Sequence, residues 1–245
     1  MFFDFLVGLS AIVAGAIAAV TGFGIGSILT PVLAVKHGTQ LAVAAVSIPH
    51  LIATFVRVWM LRRDVDRHVL VTFGLMSAVG GLGGALLHSA VSSPALAVVF
   101  AGLLIFAGLS ALSGHARRLR FGPKMAWIAG ALSGMFGGLV GNQGGIRSAA
   151  LLSFHLERRA FVATATATAL FVDGARTPIY LATAGREMLS IYGIIALSTI
   201  GGLIGTFVGT KVMRTIPEDT FTSIVGILTF VLGVFMFVRA VLGHG

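Results

Sequence analysis

The 245-residue chain has no cysteine, so disulfides, iron–sulfur clusters and thiolate metal sites are excluded. Charge is scarce as well: 10% of residues are Asp, Glu, Lys or Arg, against about 25% in a soluble domain. No polar stretch is long enough to make a separate soluble domain, so residues 1–245 read as one transmembrane domain. There is no Gly-x-x-x-x-Gly-Lys-Ser/Thr loop, which excludes direct use of ATP by this chain. There is no His-Glu-x-x-His pair, no paired-carboxylate array and no nucleophile beside a base. The chain therefore does not read as an enzyme, and no cofactor is implied.

What remains is apolar. Hydrophobic residues make up 57% of the chain, and the mean hydropathy is +1.01. Eight apolar runs stand at about 5–35, 41–61, 69–88, 94–113, 125–155, 160–183, 189–209 and 220–241. A bilayer core of ~30 Å needs ~20 helical residues, so the sequence points to an all-α, multi-pass membrane protein. The N-terminus, Met1-Phe-Phe-Asp4, lacks a basic leader and reads as a first membrane segment. The net charge of +9 would suggest nucleic acid in a soluble protein. Here the basic residues cluster between apolar runs, as in Leu61–His68 and His115–Lys124, as the positive-inside rule expects of cytoplasmic loops. The partners implied are a lipid bilayer and a small solute, not nucleic acid.

The chain reads as an internal duplication, with halves at about 5–113 and 125–241. A shift of 119 residues aligns Gly26 with Gly145, Leu33 with Leu152, Val43 with Val162, Ala44 with Ala163, Leu51 with Leu170 and Arg57 with Arg176. Gly80–Ala85 matches Gly201–Thr206 at a nearby shift. The first segment of each half is too long for one crossing and is broken by glycines. Such paired, interrupted segments point to the binding site of a transporter. If each break is a re-entrant hairpin, eleven basic residues fall inside: Arg62, Arg63, Arg67, Arg117, Arg118, Arg120, Lys124, Arg158, Arg159, Lys211 and Arg214. Lys36, Arg186 and Arg239 fall outside. If each break crosses once, the count is nine against five. The charge rule favours hairpins and hence inverted halves.

The candidate site follows from the breaks. Gly22, Gly24 and Gly26 mark the first, and Gly141, Asn142, Gln143, Gly144, Gly145 and Arg147 mark the second. Glycine lets the backbone turn, and a helix starting after the break presents free N–H groups to an anion. Arg57 and Arg176 are charges within apolar runs, where a charge is costly and faces a pathway or the interior. For Arg57, near the end of its run, snorkelling to the surface is an equal alternative. Asp173 shares a helical face with Arg176 and either neutralises it or takes up protons. His50 either relays protons or packs through a hydrogen bond. The remaining histidines, His88 among them, fall in or near loops without metal-ligand spacing. Thr164, Thr166 and Thr168 bond back to the helix or line a path. The glycines of Gly80–Ala85 and Gly201–Thr206 read as close helix packing.

The stretches Ala14–Ala34, Ala129–Phe154 and Gly80–Leu87, with the size and the basic loops, resemble the sulfite exporter TauE/SafE family, also called the toluene-sulfonate uptake permease family. The family pattern places a proline after each glycine stretch; Pro31 supplies the first, while Ala150 stands in the second place. The resemblance implies a secondary transporter, often an exporter, of sulfite or organosulfonate anions in a bacterial inner membrane. Coupling to protons or another ion and assembly into a homo-oligomer are compatible with it. A passive anion channel and a carrier of small carboxylates are the alternatives.

Overall fold

In the computed structural model the described residues are 2–88, 90, 93–113, 123–141, 144, 147, 151, 154, 156–212 and, towards the C-terminus, 223, 227, 230, 231, 233–235, 237, 238, 240 and 241. They contain helices and no strand. Asn142, Gln143 and Gly145 lie outside them, as does most of the last apolar run.

Helix α1 spans Phe2–Thr21 and α2 spans Ile25–His37. The backbone between them turns at Gly22 (φ 80°) and Gly24 (φ 142°), conformations that a side chain rarely adopts. The next three helices are α3 (Thr39–Leu61), α4 (Arg67–His88) and α5 (Ser93–Ser113). The side chain of Asp66 caps α4 by accepting from the Val69 amide at 2.9 Å. One π-helical turn, Leu70–Gly74, interrupts α4. Helix α6 (Pro123–Val140) stops at Gly141 (φ 73°). Helix α7 (Arg158–Ser190) then runs for 33 residues through Pro178, and only Ile191 separates it from α8 (Tyr192–Val212). The apolar runs at 160–183 and 189–209 are thus two helices joined by a single residue, and both pack on α3. Helices α1, α3, α4 and α8 (as far as Lys211) are long and apolar enough to cross a membrane.

The surface is apolar, and buried charged side chains lie among the apolar residues of the interior. Phe5, Trp59, Val79, Tyr192 and Ile200 are all more than half exposed, whereas His50, Arg57, Arg147, Asp173 and Arg176 are buried. Water would penalise so much exposed apolar surface, and lipid does not. Together with four spanning helices, this describes a multi-pass membrane protein.

Two glycine seams hold the bundle. Helix α1 packs along α8, and α4 packs along α6. An added Cβ on Gly84 would lie 2.8 Å from the amide nitrogen of Leu139, and one on Gly205 would lie 2.8 Å from that of Ala16. Backbone touches backbone there, so Gly80 and Gly84 in one stretch and Gly201 and Gly205 in the other serve helix packing. Both seams are parallel: Gly8 lies beside Leu197 and Gly209 beside Ala16, while Gly130 lies beside Phe73 and Gly138 beside Ala85. Between the seams, α3 packs on α7 and on α8, and α4 packs on α7.

The breaks send the chain back on itself. The ring of His37 at the end of α2 stands 5.9 Å from that of Phe3 at the start of α1, and Lys36 lies over the same Phe3 ring at 4.9 Å. In the second half, Leu151, Phe154 and Leu156 pack with Val69, Phe73 and Phe161. That is the end of the bundle where α4 and α7 begin. There Arg159 also meets Asp64 at 3.0 Å.

Candidate anion site

The two breaks meet in the middle of the bundle. An added Cβ on Gly26 would run into the carbonyl of Gly141, and one on Gly144 would sit 2.8 Å from Cγ of Phe23. Three arginines converge on this junction, none more than 2% exposed: Arg57 from α3, Arg176 from α7 and Arg147 from beyond the second break. Arg147 lies within the field of Asp173, Arg57 and Arg176. Among the described residues Asp173 is the only buried acid.

The side chains form one chain of contacts. His50, Thr54 and Arg57 follow at i, i+4 and i+7 and so share a face of α3. Asp173, Arg176 and Tyr180 share a face of α7 at i, i+3 and i+7. The Arg57 Nη2 donates to Thr54 Oγ1 at 2.9 Å. Thr54 Oγ1 lies 3.3 Å from His50 Nδ1. That nitrogen in turn lies 2.6 Å from Asp173 Oδ2. Asp173 Oδ1 accepts from Arg176 Nε at 3.0 Å and lies 2.8 Å from Arg176 Nη2. Arg57 therefore points inward to Thr54 and does not snorkel. Arg176 and Asp173 form a buried i, i+3 ion pair.

The helix ends at the breaks need partners, because their last carbonyls have none within the helix and no water is available in a bilayer. Three side chains serve three successive residues of α6. Arg176 Nη1 donates at 2.6 Å to Gly137 O, which also accepts from the Gly141 amide at 3.1 Å. The Tyr180 hydroxyl donates to Gly138 O. His88 Nδ1 lies 2.8 Å from Leu139 O. At the other break Arg147 Nη2 donates to Gly22 O at 3.0 Å. His88 is thus not a loop residue but the buried last residue of α4, with its ring 5.0 Å from that of Tyr180. Tyr180 and His88 escaped the sequence reading; the i+4 spacing of Tyr180 from Arg176 was the available signal for the first. His88 carries no such signal, since its partners are 48 and 51 residues away.

Several buried donors are unmatched. Nε and Nη1 of Arg57, and Nε and Nη1 of Arg147, have no partner among the described residues. The hydroxyls of Thr168 and Thr177 have none either. Thr166 bonds back to Val162 O at 2.6 Å, and Thr164 accepts from the Asp66 amide at 2.9 Å. A buried charge left without partners costs several kcal/mol, on the order of 3–5. Planar guanidinium forks are suited to the oxygens of a small oxyanion.

The model of the sulfite exporter TauE/SafE family matches residues 7–236. The chain belongs to the sulfite exporter TauE/SafE family. Its members are exporter-type membrane transporters of sulfite or sulfonate, not enzymes. No curated protein and no solved structure matches the chain.

Proposed function

We propose that the chain is a secondary transporter that exports a small sulfur oxyanion, sulfite or an organosulfonate, across a bacterial inner membrane. The observation that carries this is the convergence of three buried arginines on one carboxylate where two broken segments meet. The substrate is held near Arg57, Arg147 and Arg176, against Gly22, Gly24 and Gly26 of the first break and Gly141 and Gly144 of the second. Unmatched guanidinium donors favour an anion over a cation or a sugar. An anion also gains about 2.3 kcal/mol per charge per 100 mV by leaving a negative interior, so export requires no ATP site.

The halves are inverted repeats in this reading. Its support is the exchange of contacts: α1 of the first half seats on α8 of the second, and α6 of the second seats on α4 of the first. Each break also returns the chain toward the end it came from. His50 and Asp173 provide a place to hold a proton between Nδ1 and Oδ2. The charged groups facing His50 are Asp173, Arg57 and Arg176.

The test is anion flux into proteoliposomes, comparing sulfite, a sulfonate, acetate and chloride. Saturable sulfite or sulfonate flux, well above acetate and chloride, is expected. Flux that fails to saturate would make the protein a channel, and none at all would reject the substrate class. An Asp173→Asn protein whose flux keeps the wild-type pH dependence would exclude proton coupling through this pair.

A further inference from the structure

The two halves treat their intramembrane arginines differently. Both arginines sit three residues after a polar side chain on the same helical face. In α7 that side chain is Asp173, and it fills the fork of Arg176 through Nε and Nη2. The remaining Nη1 of Arg176 is committed to Gly137 O. In α3 the equivalent side chain is Thr54, which takes a single hydrogen bond from Arg57 Nη2 and offers no charge. Among the described residues, Nε and Nη1 of Arg57 have no partner, and the residue is 2% exposed. The same two nitrogens of Arg147, a residue 1% exposed, have no partner among the described residues either. Among the described residues, three guanidiniums and one carboxylate are buried at the junction, an excess of two positive charges before His50 is counted.

Resting on the transporter reading above, we propose that Arg57 and Arg147 grip a doubly charged small oxyanion, that Arg176 is a positioning residue for the end of α6, and that Thr54 sets the ligand's charge by standing where a carboxylate would neutralise Arg57. Two uncompensated cations in a low-dielectric interior are best matched by two negative charges on one ligand. The free N–H groups of the two forks supply the charge-assisted donors that such a ligand needs. Arg176 adds little to binding, because its own charge is already matched and each of its three nitrogens already serves a partner. It acts through the α6 backbone that frames the second break.

The experiment uses full-length protein in detergent: wild type, Thr54→Asp and Thr54→Asn. Binding of sulfite, sulfate and methanesulfonate is measured by calorimetry, and a melting curve checks each fold. Sulfate is a fixed dianion and methanesulfonate a fixed monoanion. Wild type is expected to bind sulfate and sulfite about tenfold or more tighter than methanesulfonate, the scale of one charge-assisted hydrogen bond. Thr54→Asp, which gives Arg57 the partner Arg176 already has, is expected to lose that preference and about tenfold or more in sulfite affinity. Thr54→Asn, similar in shape but neutral, keeps both. A folded Thr54→Asp protein that binds sulfite like wild type overturns the proposal and leaves the transporter reading standing. Wild type that binds none of the three anions overturns both. If Thr54→Asp does not fold, Arg57→Gln replaces it. Undiminished sulfite affinity in that variant, or wild-type affinity lost in Thr54→Asn, also overturns the proposal.

Discussion

Asp173 and Arg176 bury opposite charges 2.8 Å apart at the centre of the bundle. Asp173→Asn leaves Arg176 without a counter-charge and weakens the 2.6 Å contact to His50. Removing one partner of a buried ion pair costs about 3–5 kcal/mol. Arg176→Gln leaves the carboxylate bare and also takes the donor from Gly137 O, so its expected cost lies in the same range of about 3–5 kcal/mol. If the two sites were independent, the double variant would lose the sum of both. They are not, because after both changes no buried charge stands alone. The coupling in such contacting pairs reaches about 3 kcal/mol, so the double variant is expected to be close to the worse single one. Unfolding by SDS in mixed micelles, followed by circular dichroism, measures all four corners of the cycle. Single variants within about 1 kcal/mol of wild type, or a double variant that loses the full sum, would refute an ion pair coupled in the way the structure shows.

The glycine seam between α4 and α6 is testable at Gly134, where an added Cβ would sit 2.6 Å from the carbonyl carbon of Ser77. Gly134→Leu is expected to cost more than about 2 kcal/mol, as overpacking does, whereas Gly83→Leu, where a Cβ meets nothing within 4 Å, is expected to melt like wild type. The absence of cysteine makes side-specific labelling clean. With a membrane-impermeant thiol reagent, Arg62→Cys and Arg159→Cys are expected to react from one side, and Lys36→Cys and Arg186→Cys from the other. Lys36→Cys and Arg186→Cys reacting from opposite sides would restore single crossings at the breaks.

The membrane class, the positions of α1 to α5 and the first break were legible because hydrophobic run length and glycine both act locally. The break at Gly22–Gly24 follows from residues within three positions of each other, and α3 begins and ends within two residues of its apolar run. The ion pair of Asp173 with Arg176 was legible for the same reason, since i, i+3 spacing fixes it. The partner of His50 was not, because Asp173 lies 123 residues away. Nor was the division between the two arginines. It depends on which donors remain unmatched once carbonyls from α6 and from Gly22 have arrived, and no spacing rule within one helix carries that information. The full length of α7 was not legible either: Gly185, Arg186 and Glu187 end the apolar run, while the helix continues to Ser190.

The seams have a consequence in time. Gly15 of α1 rests on Gly202 of α8, and the ribosome makes these positions nearly 190 residues apart. At about 5–20 residues per second, the backbone-deep face of α1 waits roughly 10–40 seconds for its seat to be synthesised. The seam of α4 with α6 closes much sooner, since Gly80 and Ala131 lie only 51 positions apart. Maturation therefore has an order. The middle of the chain sets first as a scaffold, and the N-terminal helix, although born first, is among the last to lock.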